Sequence, residues 1–231
     1  AEHPFEDDED RVWVSGLPVG ESLTLEVRAL AHYSRSGEGL HRYTDPEDGE
    51  VYLYTQFEPN DAHRAWPCID QPDVKPAWTF HVIAPPSWVV FSNGVEVGAA
   101  PAGDDAVRHD FSATPPLSSY ITAVVAGPWA VIDGGTWSGG ASDGGHVELP
   151  LRLACRRTLA RYLDADDVCE VTRAGLDFFH ERYGVTFPWG SYDQIYVPEY
   201  NLGAMENPGC ITFNESYISR STPTFTERQR R

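Results

Sequence analysis

Apolar and polar residues first alternate at short range and later recur at helical spacing, and that change of period divides the chain in two. From Val12 to about Ile132, short runs rich in Val, Thr and aromatics are broken by Gly, Pro, Asn and Asp, the pattern of an all-β region. It predicts strands over Ser22 to Ser34, Val51 to Phe57, Ala77 to Ala84, Trp88 to Asn93, Ala106 to Ser112 and Ser118 to Ala126, with turns at Ser92-Asn93-Gly94 and Asp48-Gly49. A β-sandwich or saddle-shaped sheet fits that series. The Gly-rich stretch Asp133 to Gly145 is the sharpest compositional break and reads as a long hairpin tip or a linker.

Beyond it, a strand over His146 to Cys155 leads into a helix expected over Asp166 to Tyr183. There Val168, Val171, Gly175, Phe178 and Phe179 recur at helical spacing, Asp164 and Asp166 favour the amino end, and Gly184 followed by Pro188 stops the element. Strands over Tyr192 to Pro198 and Gly209 to Phe213 then flank the segment Tyr200 to Pro208. The class is therefore β followed by α/β, with a β-rich unit at 1–133 and a second unit at 134–231. Thr224-Phe225-Thr226-Glu227 has the form of a capping box, so a helix is expected to begin near Arg231. The chain is expected to be cut there, and also at its front, which lacks Met.

Composition narrows the function. An apolar share of 41% and an aromatic share of 12% suit a folded globular protein. The formal charge of -18 argues against nucleic-acid or anionic-membrane partners, which need Lys and Arg on the contact face. The same charge suits a cationic peptide amino terminus, although an acidic surface that merely aids solubility accounts for it too. No run approaches the roughly 20 apolar residues of a membrane span. Cys68, Cys155, Cys169 and Cys210 lack CxxC or disulfide-framework spacing and read as reduced thiols in a cytoplasmic protein.

Two segments carry polar residues among apolar ones. In Tyr54 to Pro72, strand alternation through Glu58 would put Gln56 and Glu58 on one face, where an amide beside a carboxylate can bind an ammonium group. The plainer reading is that both tie down the Pro59-Asn60-Asp61 turn and Arg64. In Tyr200 to Glu215, Gly203 and Ala204 leave backbone open to an extended peptide, and Glu206 brings charge to the same place. The plainer reading there is a Gly-Ala bend followed by an Asn207-Pro208-Gly209 turn.

Gly203-Ala204-Met205-Glu206-Asn207 spells GAMEN, and with Gln56-Phe57-Glu58-Pro59, Asp61-Ala62 and Pro67-Cys68 the chain resembles the aminopeptidase N family of zinc metallopeptidases. The resemblance spans nearly the whole chain. It implies a saddle-like β-sandwich domain followed by the first part of a thermolysin-like α+β catalytic domain, with peptides that have a free amino terminus as partners. Glu206 is implied to bind the α-amino group, with Glu58 and Gln56 completing the anchor. Gly203 and Ala204 are implied to offer backbone hydrogen bonds, Met205 and Leu202 to lie near the first side-chain pocket, and Asn207 to belong to the substrate-binding set. Leu202 stands where some relatives have Met, His63 and Trp66 where relatives often have Arg and Phe, and Gln71 where an acidic residue is common.

The implied zinc cofactor needs HExxH on a helix plus a later Glu. The eight histidines contain no HxxxH pair, so the metal is expected in the full-length protein, beyond Arg231, and the fragment is expected to be inactive alone. Two alternatives remain open at this point: an epoxide hydrolase relative, which tends to carry GGMEN, and a non-catalytic peptide-binding or scaffold protein of the same fold.

Overall fold

The structure is a computed structural model that describes residues 5–8, 11–20, 22–140 and 145–220. In chain order its strands are β1 (Phe5–Asp8), β2 (Arg11–Val14), β3 (Gly39–Thr44), β4 (Val51–Gln56), β5 (His81–Ala84), β6 (Val89–Ser92) and β7 (Glu96–Pro101). They continue with β8 (Val107–Phe111), β9 (Val124–Gly127), β10 (Ala130–Gly140), β11 (His146–Cys155), β12 (Tyr192–Val197), β13 (Ala204–Met205) and β14 (Cys210–Asn214). One α-helix, α1 (Ala165–Tyr183), connects β11 to β12 among the described residues. β11 and β12 are parallel and need such a crossover, whereas β10 and β11 are antiparallel neighbours.

Cross-strand register explains the layering. In the sheet ordered β3-β4-β9-β6, Tyr54 lies opposite Val125, and Val125 opposite Phe91; on the other face Leu53 lies opposite Ala126, and Ala126 opposite Val90. The first set packs with Ala154, Ile195, Val197 and Met205 of the five-stranded sheet β10-β11-β12-β14-β13 and with Tyr200 of the loop after β12. The second packs with Ala84 and Phe111 of the sheet β5-β8-β7. β4 is thus covered on both faces, which is why Tyr52-Leu53-Tyr54 shows no polar alternation. Leu153, Cys155 and Tyr196 point the other way and meet α1 through Cys169 and Val168. The order of layers is three-stranded sheet, four-stranded sheet, five-stranded sheet, helix.

Several expectations change. The run from Ser22 to Ser34 has strand-like alternation but forms no strand among the described residues, and Leu23, Leu25, Val27 and Leu30 are exposed. Alternation creates a face, and without a neighbour to hydrogen-bond that face is not a sheet. β3 and β7 were not anticipated: β3 is largely polar, and β7 is an exposed edge of Gly, Ala and Pro. Within Ala77 to Ala84 only His81–Ala84 is strand, and Ser118 to Ala126 opens with a 3-10 turn at Ser119–Ile121. The Gly-rich stretch is strand as far as Gly140, with a bulge between Asp133 and Thr136. Its residues 141–144 and the Thr224 to Glu227 box lie outside the described residues.

Helix α1 begins and ends where local signals place it. The Asp164 side chain accepts from the Asp167 amide, and Gly184, at φ 65°, donates its N–H to the His180 carbonyl. The face it buries differs from the expected one. Val168, Cys169 and Leu176 pack inward, while Val171, Phe178 and Phe179 are exposed. Apolar residues occur around most of this helix, so period alone could not select the buried side.

Polar ties join the layers. Asn93, after β6, donates to the carbonyls of Ile121 and Pro208 and accepts from the Ala123 amide. Arg156, after β11, pairs with Asp45 and with Glu215, both at 2.7 Å.

Candidate functional site

The site is built on the loop that leaves β12. Pro198 and Glu199 turn the chain, and Glu199 adopts φ 52°, a left-handed conformation unusual outside glycine. Two contacts from the four-stranded sheet hold it there. The Tyr54 hydroxyl donates to the Glu199 carbonyl at 3.2 Å, and His41 Nε2 lies 3.1 Å from the Glu199 carboxylate. His41 is fully buried, and its Nδ1 accepts from the Gly37 amide at 3.0 Å, so Nε2 carries the proton and donates to Glu199. Burial holds the imidazole below its usual pKa, against the opposing pull of the Glu199 charge, and His41 is neutral at pH 7.

One residue further on, the Tyr200 phenol enters a closed hydrogen-bonded chain. Its O–H donates to Gln56 Oε1 at 2.7 Å. That uses its one proton, so at the 2.8 Å contact with Thr212 the threonine hydroxyl donates to Tyr200. Thr212 Oγ1 in turn accepts from Asn207 Nδ2 at 3.3 Å. All four side chains are buried, with relative exposures of 2% for Asn207, 0% for Thr212, 5% for Tyr200 and 3% for Gln56. Proton direction is therefore fixed along the series Asn207, Thr212, Tyr200, Gln56.

The two carboxylates singled out from sequence stand at the ends of that series. Glu206 immediately precedes Asn207, and Glu58 follows Gln56 by two residues; both are exposed. Neither has an ion-pair partner among the described residues, although Glu215 and Asp45 both pair with Arg156. Their proximity registers at Tyr200: burial pushes the phenol pKa up, and the charges of Glu206 and Glu58 add to the shift. β4 ends at Gln56, so Glu58 sits in the following turn and strand parity does not place it. Instead Phe57, buried edge-on against Trp66, fixes the turn's entry, and the Asp61 amide closes it on the Phe57 carbonyl. His63, bonded to Asp70 at 2.9 Å, and Ser119, bonded to the same carboxylate, hold the turn's far side. Gln56 is buried, and its Oε1 accepts from the Tyr200 hydroxyl.

β13 forms the outer strand of the five-stranded sheet, with Ala204 opposite Phe213 and Met205 opposite Thr212. Its far edge has no strand neighbour among the described residues. The loop before it is shaped by Asn214, whose amide group donates to the carbonyls of Tyr200 and Leu202 while its backbone N–H donates to Gly203. A Cβ at Gly203 would lie 2.8 Å from the Tyr217 hydroxyl, the tip of an exposed side chain that would have to move aside. Gly203 and Ala204 are exposed, Leu202 is half-buried, and the Met205 and Asn207 side chains lie inside the fold. Tyr200, Thr212, Asn214, His41 and Glu199 were not foreseen. The available signal was polar side chains set within apolar strands, as in Cys210–Asn214.

A cavity of about 310 Å³ borders Glu199, Tyr200, Asn214 and Glu215 but does not include Glu58 or Glu206, which stand on open surface. No group of three or more His, Cys, Asp or Glu side chains able to hold a metal occurs among the described residues. All four cysteines are free, and burial pushes the Cys68 thiol up to about 11 and the Cys155 thiol to about 12, which leaves neither as a thiolate at pH 7. No helix of the described residues is long and apolar enough to cross a membrane.

Comparison with known proteins adds to this geometry. Residues 5–121 match the model of the Peptidase M1 N-terminal domain, and residues 168–231 match that of the Peptidase family M1 domain. An aminopeptidase N of Streptomyces lividans is 43% identical over 216 residues, covering 94% of this chain and 24% of that protein. An aminopeptidase N of Haemonchus contortus is 30% identical over 221 residues, covering 94% of this chain and 22% of that protein. A glutamyl aminopeptidase of Mus musculus is 26% identical over 212 residues, covering 91% and 21%. The chain thus spans about a quarter of the length of the curated relatives it matches.

Proposed function

The chain belongs to the M1 peptidase family, and from that premise we propose that it carries the part of an aminopeptidase that grips the free amino terminus of a peptide. The observation that carries this reading is the pair of exposed carboxylates, Glu58 and Glu206, without ion-pair partners among the described residues, that flank the two ends of the buried series Asn207, Thr212, Tyr200, Gln56 beside the outer strand β13. An α-ammonium group placed between them is neutralised from two sides, and the outer edge of β13, at Ala204, is open to pair with an extended peptide, while the Gly203 carbonyl is taken by the Asn214 amide. Requiring a charge at that point restricts cleavage to the amino end.

The reading assigns 1–133 to a saddle-like β domain and 134–231 to the start of a thermolysin-like catalytic domain, in a cytoplasmic protein that engages neither nucleic acid nor membrane. The zinc implied by the family resemblance does not fit the described residues, which offer no donor set. Hydrolysis is therefore assigned to the longer protein, and this chain by itself to binding. An aminoacyl reporter should show no turnover with the 231-residue chain, with or without added zinc.

The test is calorimetric titration of a short free-amine peptide and its acetylated twin into the protein and into Glu206→Gln. A charge-assisted hydrogen bond is worth ~1.5–3 kcal/mol, so the substitution should weaken the free-amine peptide by roughly tenfold or more and leave the acetylated one unchanged. Equal binding of the two peptides to the unsubstituted protein would overturn the reading.

A further inference from the structure

We propose that the Tyr200 hydroxyl is a positioning group that sets the separation of Glu58 and Glu206, and so decides how far from the first peptide bond a terminal amine must lie to be accepted. This rests on the amine-anchor reading above and names the residue that gives that anchor its selectivity.

The two carboxylates belong to different layers. Glu58 follows β4 of the four-stranded sheet, whereas Glu206 follows β13 of the five-stranded sheet. Both side chains reach solvent and carry no ion pair among the described residues, so their relative position is set by the backbone beneath them rather than by contacts of their own. That backbone is joined by the directed chain from Asn207 through Thr212 and Tyr200 to Gln56, which starts next to Glu206 and ends two residues before Glu58. The ties of Tyr54 and His41 to Glu199 also join the layers, but the Tyr200 series is the one that runs from the residue beside Glu206 to the strand end before Glu58. Apolar contacts join them as well, including the edge-on packing of Tyr54 on Tyr200. Dispersion contacts of that kind tolerate small sliding, whereas a buried hydrogen bond of 2.7 Å does not, because its partners have no water to turn to. The ring of Tyr200 therefore packs the interface, and its hydroxyl fixes the spacing.

Removing the hydroxyl alone separates these roles. In Tyr200→Phe the ring contacts persist, while Gln56 Oε1 and the Thr212 hydroxyl lose their shared partner and the two layers can shift. An anchor of fixed spacing should prefer an α-amino peptide to its homologue with a β-alanyl amino end, in which the amine is one methylene further out. The experiment compares the affinities of these two peptides and of the acetylated peptide for the full-length protein, Tyr200→Phe, Thr212→Val, Thr212→Ser and Glu206→Gln. We expect Tyr200→Phe and Thr212→Val to reduce the α-over-β preference by about fivefold or more, on the scale of one buried hydrogen bond. Thr212→Ser, which keeps the hydroxyl, should retain the preference.

If Tyr200→Phe fails to fold, the Thr212 pair carries the same comparison. Equal weakening of both peptides with an unchanged ratio would show a merely structural role and overturn the proposal. A Glu206→Gln variant that binds free amines as well as the unsubstituted protein would instead overturn the anchor reading, and this inference with it. Loss of amine binding in Glu206→Gln beside an intact ratio in Tyr200→Phe would reject the positioning role alone.

Discussion

Replacing Arg156 by Met should destabilise the protein by about 3 kcal/mol, toward the lower end of what breaking a buried ion pair costs. The guanidinium is 5% exposed and binds Asp45 Oδ2 at 2.7 Å, Glu215 at 2.7 and 3.0 Å, and Thr158 at 2.8 Å. Met fills a similar volume and removes the charge. Glu215, with its side chain 20% exposed, can turn to water, but Asp45 at 0% cannot, and most of the cost falls there. Asp45 keeps two donors, the Thr158 hydroxyl at 2.6 Å and the Glu47 amide at 2.9 Å, which is why the lower end applies. Urea unfolding followed by fluorescence of the buried Trp129 and Trp137 measures the change, which should appear in the midpoint and not in the slope. The double variant Asp45→Asn/Arg156→Met should be more stable than the sum of the single losses predicts, since it leaves no orphaned charge. A single-variant loss below about 1 kcal/mol, or strict additivity, would refute the reasoning. The pH dependence gives an independent check. Burial raises the Asp45 pKa, but hydrogen bonds from Thr158, Glu47 and Arg156 outweigh it and hold the carboxyl below the ordinary 3.8. Its stabilising share is therefore present above pH 3.8 and is lost as pH falls through the folded value, and Asp45→Asn should lack that acid-side loss.

His41 offers the second pH-dependent test. Its folded pKa lies below the ordinary 6.5, so the unfolded chain binds more protons in the interval between the two, and stability should fall as pH drops from 6.5 toward the folded value. His41→Phe keeps the ring beside Tyr54 and should flatten that part of the profile in denaturation midpoints taken between about pH 5 and 7.5; an unchanged slope would refute the assignment. Gly209→Ala should cost about 1–3 kcal/mol, because φ there is +75° and the new Cβ would sit 2.8 Å from the Asn93 carbonyl. Gly98→Ala, with nothing within 4 Å, is the control, and equal shifts in melting temperature would argue against the clash.

The local signals in the chain were sufficient for elements whose cause is local. The ends of α1 followed from Asp164 and Gly184, because a cap is satisfied within one turn. β4, β6 and β11 followed from runs rich in apolar and β-branched residues, and Glu58 and Glu206 were conspicuous as charges beside turns. What failed was everything that depends on the identity of a neighbour. Ser22 to Ser34 has the alternation of a strand but pairs only through the isolated bridge at Ser34 among the described residues, β7 has a partner and no alternation, and α1 buries Cys169, which lay outside the expected periodic set, while exposing Val171, which belonged to it.

The candidate site divides along the same line. Sequence by itself singled out Glu58 and Glu206 as charges beside turns, and both are exposed in the fold. Only the tertiary structure decided that Gln56 Oε1 accepts from Tyr200, that Met205 and Asn207 are buried, and that Glu199 is held in its turn by His41. Gln56 and Tyr200 are 144 positions apart and His41 and Glu199 are 158 apart. Periodicity reports which side of an element a residue occupies, but hydrogen bonds between layers depend on how sheets stack, and that is settled by packing across the whole core.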